Sequence, residues 1–312
     1  MSADGATIPL AMGEDGEKVE DRKGMLAENA KGEPIFDFST PKGAPALLPP
    51  DSVSWRLYKN PFAGGIGAIC AVLMEFADPR IRSGVWDHST FKSNPNQRAR
   101  RTGMAGLIGV YGPAEDARKL IAGVTRLHSR VKGRAPEGLD YFALDPELTN
   151  WVHATAVYGV LNAYAAYVAP LSRQERDQFY AEGEAAAKLF RAPNPPLCEV
   201  DFEQLFQKMR PGFSPSPIVF EYLEISSKNS LLPPPFHRLK KPMIKAAIDL
   251  LPGDLRKLLG LGPEYDLKGW ERALLKFVAR QADRKCIRSA PPAQACLRMG
   301  LPADYLYKKQ KR

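Results

Sequence analysis

The chain has 312 residues, 44% hydrophobic and 25% charged, a balance typical of a globular protein that buries a sizeable core. It contains no run of about 18 uncharged apolar residues, and its first residues lack the basic and apolar regions of a secretory signal, so we expect neither a membrane-spanning helix nor a signal peptide. The formal net charge is +9, although the first 51 residues hold 10 acidic and 5 basic residues, so the positive excess lies in the rest of the chain.

A positive excess is compatible with nucleic acid or an anionic membrane surface as a partner. The sequence has no helix-turn-helix, zinc-finger or RNA-binding motif, so we expect no nucleic-acid partner. A solvated basic surface is the simpler interpretation, and peripheral membrane contact through that surface is the main alternative. The four cysteines form no CxxC pair, which favours a reducing, cytoplasmic environment without structural disulfides.

In chain order, residues 1–52 are rich in glycine, proline and acids and are predicted to form a flexible acidic N-terminal arm. A folded domain is predicted over 53–285, and 286–312 is predicted to be a basic C-terminal tail. The first strong helix is the apolar run GGIGAICAVLMEFADP, after which RSGVWDHSTFKSNPNQ is predicted to be a polar loop.

Helices are predicted next over 96–110 and 114–132, and capping residues mark two more. Asp145 with Pro146 marks the start of one, and Ser172 with Glu175 forms the capping box of the other. Because no alternating β-branched run of useful length occurs, the fold class is predicted to be all-α, in a single helical domain. Shorter helices are predicted over 201–210, 215–227, 240–251, 253–260 and 267–281.

His128 lies in RLHSRVKG, at i+4 from Val124 and i+7 from Ile121, so a helix over 114–132 turns its imidazole toward the apolar face. Burying an unpaired imidazole is costly, so the ring needs a hydrogen-bond partner, a metal or a solvent-lined pocket. Two interpretations stay open at this point: a hydrogen-bonded core histidine and a ligand of a metal or cofactor.

His153 and Thr155 interrupt a helix that is apolar nearly all round, which predicts that this helix lies at the centre of a bundle. They either hydrogen-bond to nearby backbone or belong to a buried site. Arg98 and Thr102, spaced i and i+4, share a helix face beside Arg101. Such a face suits a propionate or another anionic group, although a cluster of arginines also suits a solvated basic surface.

Asp87 and His88 are adjacent in the predicted polar loop, where they would either cap a helix or supply acid–base chemistry. The chain has no HExxH motif, no histidine pair at i, i+4 and no GxSxG motif, which excludes the common zinc-protease and α/β-hydrolase sites. Inward histidines, an arginine-bearing helix and an apolar interior are compatible with a haem pocket, in which one imidazole holds the iron and arginines hold the propionates.

The ordered series DHSTF, RARRT, VTRLHSRVKG, DPELTNWVHAT and PLSRQERDQFY, followed by DLLPGDLRKLLGL, resembles the oxygenase family of the mycophenolic-acid pathway enzyme MpaB and the rubber oxygenases called latex clearing proteins. The similarity covers roughly residues 56–261. It implies an all-α fold with a globin-like core around haem b. It also implies O2-dependent oxidative cleavage of a carbon–carbon double bond in a hydrophobic, isoprenoid-like substrate.

Carried over by motif, the resemblance implies that His128 is the proximal iron ligand and that Arg98 and Thr102 form an Arg-x-x-x-Thr pair beside the haem. Arg101 stands where latex clearing proteins have a lysine that can occupy the distal iron position. Because a guanidinium stays protonated and is a poor ligand, the distal side is predicted to be open or water-bound.

The resemblance also places His153 and Thr155 behind the haem site, where they would orient the proximal ligand or another pocket group. His153 is the alternative iron ligand if His128 is not. Asp87 and His88 are candidates on the distal side, where a base would remove an allylic proton from the substrate.

The expected function is therefore a haem b-dependent oxygenase that acts with O2 on a hydrophobic small molecule. The alternatives are a haem-binding sensor or carrier without turnover, and a helical scaffold without haem. The sequence indicates no particular oligomeric state.

Overall fold

The computed structural model describes residues 27–29, 34–229, 232 and 234–308. These residues are mainly α-helical and form a single domain, which confirms the predicted all-α class. The helices are α1 Val53–Tyr58, α2 Pro61–Glu75, α3 Pro79–His88, α4 Pro95–Tyr111, α5 Ala114–His128, α6 Pro146–Tyr167, α7 Arg173–Leu189, α8 Glu199–Met209, α9 Pro217–Lys228, α10 Lys240–Asp249, α11 Gly253–Leu258, α12 Gly269–Arg284 and α13 Pro291–Arg298.

Two short antiparallel strand pairs accompany the helices, and the sequence predicted neither. The strand β1 Ala27–Glu28 pairs with β2 Pro34–Ile35, and β3 Lys132–Arg134 pairs with β4 Asp140–Phe142. Strands of two or three residues are too short to show the alternation that identifies a strand in a sequence. Because α5 ends at His128 and β3 follows, the predicted helix over 114–132 is too long at its C-terminal end.

The centre of the molecule is the crossing of α2 and α6, both of which are largely buried. Their backbones meet at Gly67 and Gly159: a Cβ atom at Gly67 would lie 2.6 Å from the amide nitrogen of Val160 and 2.8 Å from the carbonyl oxygen of Gly159. Only residues without a side chain permit so close an approach. The crossing also brings Glu75 of α2 and Thr155 of α6 together.

Capping residues set the start of several helices, as predicted. The Asp145 side chain accepts backbone N–H groups at the start of α6, and Ser172 and Glu175 form the reciprocal capping box of α7. The loop predicted over RSGVWDHSTFKSNPNQ is wrong in its first part, because residues 82–88 belong to α3. That helix begins with Asp78 as its cap and Pro79 in its first turn, the same pair that starts α6.

A second, smaller core joins an early and a late segment of the chain. The guanidinium of Arg298 is buried there and donates hydrogen bonds to the carbonyl oxygens of Phe38 (2.8 Å), Ala44 (2.9 Å) and Tyr111 (2.7 Å). Parts of the predicted arm (residues 36–52) and of the predicted tail (residues 291–307) therefore pack on the helices. Residues 1–26 and 30–33 of the arm lie outside the described residues, and the division into three segments stays a prediction.

Within the described ranges, no single helix has both the length and the hydropathy needed to cross a bilayer. α2 and α3 reach those values only when taken together, and the chain bends by 112° between them.

Candidate functional site

Glu75, the last residue of α2, is an acid in an otherwise apolar helix. Thr155 of α6 is fully buried, and its hydroxyl donates a hydrogen bond to the carboxyl oxygen Oε1 of Glu75 at 3.2 Å. Burial raises the pKa of Glu75 to about 7, and the hydrogen bond from Thr155 and the charge of Arg98 oppose the rise. The protein therefore holds a carboxyl group that is close to half protonated near neutral pH.

Arg98 of α4 faces Glu75 and carries the main positive charge of the site. Its guanidinium lies 5.8 Å from the centre of the Phe91 ring and interacts electrostatically with Glu75 and Tyr222. Burial lowers the pKa of Arg98, and Glu75 opposes the change. A guanidinium presents several N–H donors in one plane, so it can bind a carboxylate or another anionic group.

His128, the last residue of α5, completes the cluster. His128 is exposed to solvent, so the predicted inward orientation of its imidazole is wrong: α5 buries its first turns, and His128 lies at its last residue. Surrounding protein still lowers the pKa of His128, and the charge of Arg98 lowers it further. A lowered pKa favours the neutral imidazole, which is the form that binds a metal through a ring nitrogen.

Exposed apolar side chains adjoin two residues of this group along their helices. On α6, the central helix, Val152 is 38% exposed beside the buried Thr155, and on α5 Leu127 is 45% exposed beside His128. Exposed apolar side chains next to polar ones are typical of a surface that binds a hydrophobic ligand.

His153 lies on another side of α6 from Thr155, because two residues along a helix differ by about 200°. Its Nε2 atom is shielded from solvent between α6 and α7 and has no hydrogen-bond partner in the described structure; a Cβ atom at Gly183 would lie 2.8 Å from it. Burial lowers the pKa of His153 to about 4. The structure thus places Thr155 with Glu75 and Arg98, and places His153 in a helix interface.

Asp87 and His88 close α3 and meet Tyr141 of β4. His88 Nε2 lies 3.0 Å from the Tyr141 hydroxyl, which donates to Asp87 Oδ2 at 3.5 Å. Both residues are exposed, and their recorded side-chain contacts are with the β3–β4 hairpin and not with Glu75 or Arg98. On α4, Arg101 and Thr102 are also exposed, whereas Arg98 is half-buried.

Sequence reasoning missed Glu75 and Tyr222. Glu75 carried a usable signal, since it is the one acid in the apolar run of α2 and a buried acid needs a partner. Tyr222 had no such signal: it reaches the site from α9, where its ring lies 5.3 Å from Phe91 and 5.4 Å from Phe76.

In the described residues, no group of three or more His, Cys, Asp or Glu side chains is arranged to hold a metal ion.

Comparison with known proteins gives one match. The family model described as "ER-bound oxygenase mpaB/B'/Rubber oxygenase, catalytic domain" matches residues 55–282, which run from within α1 to within α12. No curated protein and no solved structure matches the chain.

Proposed function

Since this chain belongs to the family of the ER-bound oxygenase mpaB/B' and rubber oxygenase catalytic domains, we propose that it is a haem b-dependent oxygenase for a hydrophobic, alkene-containing substrate. The family is an oxygenase family, so the general class is an oxidoreductase. The observation that supports the finer proposal is the grouping of Glu75, Arg98 and His128, whose electrostatic interactions link three helices, beside the exposed apolar side chains of Leu127 and Val152.

The residues present fit a haem. The neutral His128 imidazole would hold the iron, and the Arg98 guanidinium would pair with a propionate, because a guanidinium binds a carboxylate through two parallel hydrogen bonds. When bound, haem b supplies an iron centre at which O2 is activated.

The protein's own contribution is then binding, exclusion of water and control of one proton. Val152 and Leu127 present apolar surface that would bind a hydrocarbon chain. Glu75 would accept a proton from the substrate at its carboxylate, because its pKa near 7 suits a base that works at neutral pH. The Thr155 hydroxyl fixes the orientation of that carboxylate.

A pyridine haemochrome assay on the purified full-length chain, with His128→Ala and His153→Ala beside it, tests the proposal. We expect haem b in the wild type, little in His128→Ala and a near-normal content in His153→Ala, because the His153 ring lies between two helices. Full haem content in His128→Ala, with an unchanged Soret band, would remove His128 from its role. A wild type that binds no haem under ample supply would reject the cofactor.

Turnover separates an oxygenase from a haem-binding sensor or carrier. O2 consumption and carbonyl products should appear when the haem-loaded protein is mixed with isoprenoid alkenes. Haem binding without O2 consumption across a range of alkenes would favour the sensor or carrier.

A further inference from the structure

The outward face of α12 carries large apolar side chains that no described part of the protein covers. Trp270 and Phe277 are each 61% exposed and Leu274 is 36% exposed. With spacings of i, i+4 and i+7 they form one stripe along the helix. The opposite face, with Leu275 and Ala279, packs into the core, so the helix is firmly anchored while the stripe faces outward.

The charged residues of α12 also differ between its two faces, with bases on the outer face and acids on the inner face. A row of bases, Lys276, Arg280 and Arg284, runs beside the apolar stripe at i, i+4 and i+8, and Lys285 follows it. The two acids of the helix face inward: Glu271 is 6% exposed and pairs with Lys245, and Asp283 pairs with Lys59 at 2.8 Å. The outer face is therefore apolar and cationic, without an accessible acid of the helix itself.

We propose that this face of α12 docks the protein on a membrane surface that contains anionic lipids. Tryptophan and phenylalanine suit the boundary between headgroups and acyl chains, and the neighbouring bases attract lipid phosphates and carboxylates. Charge complementarity favours this occupant over a second copy of the chain, because two such basic faces would repel each other. The proposal does not depend on the cofactor or the reaction proposed above.

Tryptophan emission provides a direct test on the full-length protein. The chain has four tryptophans, and Trp55, Trp86 and Trp151 are buried. Only Trp270 can therefore move from a solvent-exposed to an apolar environment on docking. We expect a blue shift of the emission, and sedimentation with the vesicles, on mixing with phosphatidylcholine–phosphatidylserine vesicles. Both should weaken as salt is raised, and both should be much smaller with phosphatidylcholine alone.

Variants of this face should separate the apolar contribution to vesicle binding from the electrostatic one. Phe277→Glu should weaken vesicle binding about 10-fold or more, because it removes a large apolar anchor. Arg284→Gln and Lys285→Gln should each weaken it about 5-fold. Val200→Glu, which places an acid at another exposed apolar position on α8, is the matched control and should leave binding unchanged.

Three results would overturn the proposal. The first is no sedimentation and no blue shift with anionic vesicles. The second is a concentration-dependent dimer that Phe277→Glu dissociates while vesicles remain unbound, which would make the face a self-association surface. The third is emission that is already blue without vesicles and shifts to the red when residues 1–26 are removed, which would make that segment the occupant.

Discussion

Glu75 and His153 show how burial acts on two different ionisable side chains. Burial disfavours the charged form of each, so it raises the pKa of the carboxyl group to about 7 and lowers that of the imidazole to about 4. Both side chains are therefore largely uncharged in mildly acidic solution. Their effects on stability have opposite signs as the pH changes.

For Glu75, the folded state binds a proton more tightly than the unfolded state. Its contribution to the free energy of unfolding is fully present below the unfolded pKa of about 4.5 and is lost as the pH rises through about 7. Glu75→Gln removes this loss, so the cofactor-free variant should gain about 1–2 kcal/mol on the wild type between pH 5 and pH 8. Urea unfolding at pH 5 and pH 8 measures the free energy of unfolding of both proteins. A difference between them that is the same at both pH values would contradict the raised pKa.

For His153, the unfolded state binds the proton more tightly. The wild type should lose stability as the pH falls from about 6.5 towards about 4, because a charged imidazole is excluded from the α6–α7 interface. His153→Leu should lose less stability over this range and should be no less stable at pH 7, since Nε2 makes no hydrogen bond in the described structure. Thermal unfolding at pH 7 and pH 5 provides the comparison, and equal losses in both proteins would refute the prediction.

Helix starts could be predicted from the sequence because they depend on neighbouring residues, whereas features that depend on distant contacts could not. Asp145 and Ser172 cap their helices through neighbours within four residues, so the starts of α6 and α7 could be read from the sequence. An aspartate cap followed by proline also starts α3, as Asp78 and Pro79. The polar residues that follow this pair nevertheless resembled a loop. An unfavourable composition thus concealed a helix whose start signal was present.

The candidate site was predictable in its residue types and not in its arrangement. His128 and Thr155 could be selected because each is a polar group among apolar helix positions, and Arg98 because it shares a helix face with Thr102. Glu75 joins them only because α2 crosses α6, and that crossing depends on contacts between residues about 90 positions apart. No local pattern in the sequence encodes such a meeting.

The crossing itself can be tested with glycine substitutions on α2. Gly67→Ala places a methyl group against the backbone of Val160 and Gly159, and should destabilise the protein by about 1–3 kcal/mol or more, with weaker binding at the neighbouring site. Gly64→Ala on the same helix is the control. A Cβ there meets nothing within 4 Å, so it should be neutral or stabilise by about 0.5–1 kcal/mol. Chemical unfolding of both variants measures the difference, and equal stabilities would show that α2 can move away from α6 at little cost.

For the molecule as a whole, the buried Arg298 holds the second core to the main helices. Its guanidinium donates hydrogen bonds to three carbonyl oxygens, two within residues 38–44 and one at the end of α4, and burial lowers the pKa of Arg298. Residues beyond 286 therefore contribute to the fold, although their composition resembled a solvated tail.

Arg298→Gln should destabilise the protein by about 3 kcal/mol or more, because the shorter side chain leaves buried carbonyl groups without donors. Thermal unfolding measures the loss, and protease cleavage within residues 36–48 should become faster. The matched control is Arg284→Gln, an exposed arginine on α12, which should change the stability little. An Arg298→Gln variant as stable as the wild type would mean that residues 291–307 are held by other contacts.

The contact between Phe38 and Arg298 also means that the second core can form only late in synthesis of the chain. The two residues are 260 positions apart, and Phe38 also bonds Gln294, 256 positions away. A ribosome adding about 5–20 residues per second needs roughly 13–50 s to travel that distance. The α2–α6 pair can assemble well before then, whereas the segment around Phe38 must wait without its partners. During that interval its apolar side chains are available to chaperones, and closing the second core is the step that ends this exposure.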